Sequence, residues 1–305
     1  MKIVYQTSAE ICDNCDPMEH IERIGRICYK SEDKITEGSA AKFISMLYDN
    51  HHMAMLEHYR FIYRVSKPIY DAIARAKSHY DIYIETTNIS QRLVSASARG
   101  LMDAIDIIED DYGAIAACCA IIKQIVADYG CIELFGNKYT ALDQPTALVR
   151  VDQYELTGAE STNHGWHSVL FRTDRGVTHE LVRHRPASFA QESTRYCNYS
   201  NDKYDNEITV IALPSDCDRS YSIWKETCEK CEESYIDMIN NGVSAQIARS
   251  VLPTCVKADI VVTATNKEWQ HIINLRWHGK TGKPHPQMKQ LMGILRNGCD
   301  WAAAM

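Results

Sequence analysis

Residues 175–196 read RGVTHELVRHRPASFAQESTRY, and the division of that run decides the fold. A helix fits 175–185 and stops at Pro186, whose ring cannot continue it. The ten residues beyond are read as a compact polar loop, the kind of segment that carries function when a rigid scaffold holds it. Before the helix, HSVLFRT (167–173) reads as a strand. Beyond the loop come a strand at 207–213, a long helix at 220–241, a short helix at 243–250 closed by Pro253, and the strand KADIVVTAT. Two helices fit 266–277 and 285–297.

Towards the amino terminus, KIVYQ and YRFIYRV have strand character, rich in β-branched and aromatic residues. Helices fit 18–29, with Ile21, Ile24 and Ile27 at helical spacing, and 39–49, with Ala40, Phe43, Ile44 and Leu47 on one face. Residues 66–145 read as mostly helical, the last helix capped by Gly130. The segment 145–166 reads as loop with a short strand at ALVRVDQYEL. The order predicts an α+β fold, a central mixed or antiparallel sheet flanked by helices with a mainly helical insertion, and not a run of βαβ units.

The chain has 305 residues, 45% hydrophobic and 24% charged, an ordinary globular composition. A formal charge of −7 argues against a globally basic nucleic-acid surface. No run approaches the eighteen apolar residues a membrane span needs, and the opening residues do not read as a signal peptide, so a cytoplasmic protein is expected. Twelve cysteines are scattered over the chain, which favours core packing over a disulfide framework. Two pairs, Cys12/Cys15 and Cys228/Cys231, have the spacing of zinc ligands, so a structural zinc protein is one alternative reading.

The chemistry concentrates after the 175–185 helix. Arg183 and Arg185 offer two planar guanidinium forks suited to phosphate or ring carbonyls. His184 between them can donate through one ring nitrogen and accept through the other. Read as composition alone, the same stretch fits a solvated surface with Glu192 neutralising an arginine, or a nucleic-acid-binding module using the cluster on phosphates.

The order of residues is more specific. Arg183-His184-Arg185, then Ser188, Gln191, Ser193, Arg195 and Tyr196, resembles the signature of the flavin-dependent thymidylate synthases. HMAMLEH (52–58), RICY (26–29), QIARSVLP, TATNKEW and HIINLR resemble further segments of that family in the same order. The resemblance covers residues about 1–65 and 167–300, which implies one such domain over 1–305 with a helical insertion at about 66–166.

The resemblance implies an enzyme that methylates dUMP to dTMP, with methylene-tetrahydrofolate as carbon donor and FAD reduced by NADPH. It implies a homotetramer whose sites combine several chains, and neither a nucleic-acid nor a membrane partner. Arg183, His184 and Arg185 would line the flavin, together with Cys28, His52, Gln191, Thr265, Lys267 and His271. Glu180, Arg183, Gln191, Glu192, Ser193, Thr194, Arg195, Arg249 and Arg276 would hold dUMP. Arg276 would sit near N3 and O4 of the pyrimidine, where a cation polarises C6 for hydride attack. Ser193 is a candidate nucleophile towards C6, but no base lies beside it in sequence, so a binding hydroxyl is the favoured reading. This chain departs from the family's pattern at Cys28 and Ala54, where hydroxyl residues are common, and at Thr265-Asn266-Lys267 and His271. No metal is expected at the site. A diverged homologue that binds both ligands without turnover is a further alternative.

Overall fold

The computed structural model describes residues 1–77, 84–88, 91–108, 110–135, 139, 148–213 and 220–305. The chain opens with β1 (Lys2–Val4), β2 (Ser8–Ile11), α1 (Pro17–Tyr29) and α2 (Ser39–Asp49). Next come β3 (Arg60–Arg64), α3 (Lys67–Lys77), β4 (Ile84–Asn88), β5 (Arg92–Ser97), α4 (Ala98–Ile107) and α5 (Tyr112–Tyr129). Then follow β6 (Val149–Arg150), α6 (Gly158–His164), β7 (Trp166–Asp174), α7 (Arg175–Leu181) and β8 (Ala187–Gln191). The last elements are β9 (Thr209–Ile211), α8 (Tyr221–Asn240), α9 (Ala245–Ala248), β10 (Lys257–Thr265), α10 (Asn266–Arg276), α11 (Pro286–Gly298) and α12 (Asp300–Ala303).

The sheet that positions the arginine cluster is antiparallel, in the order β2–β7–β10–β8. Its side chains alternate between two faces, as a pleated strand requires. Ile260, Val262 and Ala264 of β10 pack with Trp269, Ile272 and Ile273 of α10 and Met288, Leu291 and Met292 of α11. Val261, from the opposite face, packs with Ile24, Ile27 and Cys28 of α1. β10 is thus buried on both sides, and its run of Ile, Val and Ala reads accordingly. A second antiparallel sheet, β4–β5–β3–β6, shares a core with α2, α3, α4 and α5, and β1 pairs with β9 in parallel.

α1 approaches α2 closely, because a Cβ on Gly25 would stand 2.6 Å from the Phe43 ring. α5 is long and apolar enough, by length and mean hydropathy, to cross a membrane. In the fold its Cys118, Ile121, Ile122 and Ile125 are buried against the second sheet's core.

The α+β class and the antiparallel sheets agree with the sequence reading. Three local expectations differ. The loop expected after Pro186 begins with the strand β8, held by five register pairs to β10 from Ala187↔Ala264 to Gln191↔Ile260. ASFAQ lacks β-branched residues, so propensity does not mark it; pairing with β10 makes it a strand. α7 ends at Leu181, four residues before the expected Arg185, consistent with the bias of a residue preceding proline away from helical backbone. The mostly helical 66–145 stretch contains β4 and β5, and its parts 78–83, 89–90, 109, 136–138 and 140–145 lie outside the described residues.

Candidate functional site

Asp174 begins the site: its carboxylate accepts the amide of Val177 at 2.7 Å and caps α7 as the chain leaves β7. Five residues, 182–186, then connect α7 to β8. Within them the buried His184 turns inward, while Arg183 and Arg185 are exposed and, among the described residues, make no ion pair.

His184 is fixed by Arg276, which arrives from the end of α10. Arg276 Nε donates to His184 Nε2 at 3.1 Å, Nη1 to Glu180 Oε2 at 2.6 Å and Nη2 to the Glu180 carbonyl at 3.1 Å. A guanidinium only donates, so His184 Nε2 is the acceptor and the ring proton sits on Nδ1. That nitrogen faces Glu268 Oε1 at 3.6 Å. Glu268 Oε1 is itself buried and accepts no hydrogen bond.

His184, Glu268 and Arg276, with Arg183, Arg185, His271 and Leu275, line a cavity of about 340 Å³. His184, Glu268 and His271 are close enough to share an ion, and they are the metal-capable grouping among the described residues. His184 Nε2 is already committed to Arg276, however, and that guanidinium adjoins, so the grouping suits an anionic or hydrogen-bonding ring better than a metal ion. No cysteine belongs to it, and the zinc reading of the two CxxC pairs has no support in the described residues.

At the far end of β8 the chain forms a tight turn. The Ser193 amide donates to the Cys28 carbonyl at the end of α1 at 3.2 Å, and Ser193 Oγ accepts the Arg195 amide at 3.3 Å. No base bonds the Ser193 hydroxyl among the described residues. Exposed Arg195 lies over the Tyr196 ring at 5.6 Å. Tyr196 adjoins Tyr29 at 5.9 Å, and Tyr29 stacks on His52 and bonds its Nδ1, so His52 belongs to this end.

A third group lies beside the same turn. Arg249 Nη1 donates to Thr194 Oγ1 at 3.4 Å, and both line a cavity of about 600 Å³ with Arg175 and His179. Three basic side chains around one hollow suit a phosphate.

Several expected contacts are engaged elsewhere. The Cys28 thiol lies in the core between α1 and the sheet, where burial pushes it up to about 12, so it does not face a ligand as a thiolate. Glu192 is 1% exposed and turns away from solvent, against the expectation that it cradles a nucleotide. Its Oε2 accepts Lys257 Nζ at 2.6 Å and its Oε1 accepts Tyr199 Oη at 3.3 Å. Lys30 also belongs to this cluster, bonding Asp259, which Arg172 grips at 3.0 Å. Burial alone would raise Asp259, but Lys257, Lys30 and Arg172 outweigh it and bring its carboxyl down to about 2.

Gln191 donates to Thr178 Oγ1 at 2.9 Å, and Thr265 Oγ1 caps α10 by accepting the Glu268 amide at 3.4 Å. Lys267 and His271 are exposed on α10. β8 spans five residues, roughly 13–17 Å at strand rise, and lies between the His184–Arg276 end and the Ser193–His52 end. Glu268, Arg175 and His179 escaped the sequence reading, although spacings of three and four on predicted helices align Glu268 with His271 and Arg175 with His179.

Comparison with known proteins centres on this region. The family model described as "Thymidylate synthase complementing protein" (Thy1) matches residues 161–295. A flavin-dependent thymidylate synthase of Pyrococcus furiosus is 39% identical over 103 residues, covering 33% of this chain and 42% of the relative. The enzyme of that name from Geobacter sulfurreducens is 32% identical over 102 residues, covering 33% and 43%. That from Saccharolobus solfataricus is 31% identical over 134 residues, covering 41% and 50%. The chain thus spans half or less of the length of these relatives. Thymidylate synthase X from Helicobacter pylori, solved with FAD and dUMP, superposes with a TM-score of 0.36 at 16% identity, over 45% of this chain and 68% of that one. A UMP/dUMP methylase from Streptomyces cacaoi bound with 5-Br dUMP gives 0.43 at 13% identity, over 99% and 93%.

Proposed function

We propose that this chain is a flavin-dependent thymidylate synthase that methylates dUMP to dTMP, a reading supported by the match of the Thy1 family model to residues 161–295. The observation that carries the reading is the threefold grip of Arg276 on Glu180 and His184 beside the exposed guanidinium groups of Arg183 and Arg185, all within that segment. In this reading FAD is the cofactor, NADPH its reductant and methylene-tetrahydrofolate the carbon donor.

The donor set fits a flavin. Arg183 and Arg185 supply forks that make no ion pair among the described residues, and the buried Glu268 Oε1, without a hydrogen bond among them, supplies an acceptor that a ligand N–H or O–H would satisfy. When bound, the flavin supplies the hydride that reduces the transferred carbon to a methyl group. Arg276, held by Glu180, presents a fixed positive charge that favours electron withdrawal from the pyrimidine ring. Arg249, Thr194, Arg175 and His179 form a natural seat for the nucleotide phosphate. Ser193 and Arg195 complete the cradle as binding groups, with Tyr196, Tyr29 and His52 offering an aromatic wall.

Roughly 13–17 Å of strand separates the two ends of β8. The reading includes assembly into a homotetramer, in which the Arg276 end of one copy faces the Ser193 end of another. The deciding experiment is spectroscopy of purified protein followed by assay with ring-tritiated dUMP, NADPH and methylene-tetrahydrofolate. Flavin absorbance with tritium release is the expected result. Flavin and dUMP binding without release would identify a non-catalytic homologue, and absence of both would overturn the proposal.

A further inference from the structure

The twelve cysteines find no use in the reaction above, yet two of them meet in space. Cys228 on α8 and Cys255, just before β10, bring their sulfurs to 3.4 Å in a thiol–thiol hydrogen bond. The described cysteines are all free. Cys228 and Cys255 lie 27 residues apart and line a cavity of about 530 Å³ with Asp174, Trp224, Pro253 and Thr254. Cys228 is buried and Cys255 half-exposed, so one sulfur is reachable from the cavity and the other waits behind it.

We propose that Cys228 and Cys255 are a reversible disulfide site, closed by peroxide and reopened by a dithiol reductant. In the closing step the Cys255 thiolate attacks one oxygen of hydrogen peroxide, forming a sulfenic acid and releasing hydroxide, which takes up the proton lost by the thiol. The Cys228 sulfur then attacks the Cys255 sulfur. The S–O bond breaks, and the Cys228 proton leaves with the hydroxyl as water. Two thiols and one peroxide give one disulfide and two waters. Burial and the bond to Cys255 push the Cys228 thiol up to about 12, which fits Cys255 as the first sulfur to react.

The bond would clamp a segment that already supports the site. The carbonyls of Thr254 and Val256 accept the amides of Gly176 and Arg175, the first residues of α7, at 3.2 and 3.1 Å. Pro253 and Thr254 border both the cysteine cavity and the Arg249 cavity. The oxidised protein therefore holds the start of α7 more firmly. This inference concerns the thiols alone and stands whether or not the chain turns over dUMP.

The test oxidises the reduced full-length protein with hydrogen peroxide, alkylates remaining thiols, and maps proteolytic peptides by mass spectrometry. A Cys228–Cys255 linked peptide, two hydrogens lighter than the sum of its parts, is expected, together with slower hydrogen exchange at the Arg175 and Gly176 amides. The link should vanish in Cys255→Ala, persist in Cys231→Ser, and open on treatment with dithiothreitol. Full alkylation of both residues after peroxide, or a Cys255–Cys231 link in its place, would overturn the proposal. So would unchanged exchange at Arg175 and Gly176 in the linked protein.

Discussion

Arg276 and Glu180 hold each other by two hydrogen bonds across 96 residues of sequence, one to the carboxylate at 2.6 Å and one to the backbone carbonyl at 3.1 Å. The pair ties the end of α10 to the end of α7 and leaves the third guanidinium donor for His184. A lysine cannot reproduce three directed donors from one planar group. Arg276→Lys and Arg276→Ala are both expected to lower dUMP turnover by ~100-fold. Steady-state assay, with circular dichroism to verify folding, checks this; wild-type turnover in Arg276→Lys would remove the assigned role.

Glu192 offers a stability prediction distinct from the catalytic one. It is surrounded by Lys257 at 2.6 Å and Lys30 at 3.7 Å and is almost fully buried. Glu192→Ala leaves buried positive charge with one fewer partner, and a loss on the order of 3 kcal/mol is expected. Urea denaturation measures it. A loss below about 1 kcal/mol, the size of an exposed pair's contribution, would show that this cluster is hydrated.

Acid sensitivity should come from two histidines outside the site. His20 Nε2 meets the His58 carbonyl at 2.8 Å, and His58 Nδ1 meets Thr263 Oγ1 at 2.7 Å, both in the core. Burial lowers His20 from 6.5 to about 4 and His58 to about 3. Below pH 6.5 the unfolded chain takes up protons that the folded chain refuses until pH nears 4. Stability is therefore full above pH 6.5 and falls as pH drops, by on the order of 2 kcal/mol per imidazole at pH 5. Thermal melts from pH 7 to 5 test this, and His20→Gln should flatten the slope; a Tm independent of pH across that range would contradict it.

Gly25→Ala tests the closeness of α1 and α2. Alanine gains up to about 1 kcal/mol of helix propensity, while overpacking costs about 1–3 kcal/mol. The Phe43 ring at 2.6 Å is buried and carries Arg26 over its face at 4.7 Å, so it has little room to yield. Net destabilisation of about 1 kcal/mol is expected, read as a lower urea midpoint.

Much of this was legible in the residues because the signals were local. Helical spacing placed α1 and α2, and Gly130, at φ 63°, marked the end of α5. The order Arg183-His184-Arg185 to Arg195 singled out the segment that the family model also matches. What escaped depends on partners distant in sequence. β8 is a strand only because β10 pairs with it, and Glu192 turns inward only because Lys30 and Lys257 converge there. Cys28 shows the same limit: its place in the order suggested a ligand contact, while packing against Val261 sends its thiol into the core.

The five-residue link between α7 and β8 has a kinetic consequence. With His184 anchored to Arg276 and Ala187 already in register with β10, the backbone bearing Arg183 and Arg185 has little slack to swing. Most of the entropy lost in ordering that turn is lost when the protein folds, not when a guest arrives. Encounter at this end should then be limited by diffusion and charge, without a slow rearrangement ahead of it.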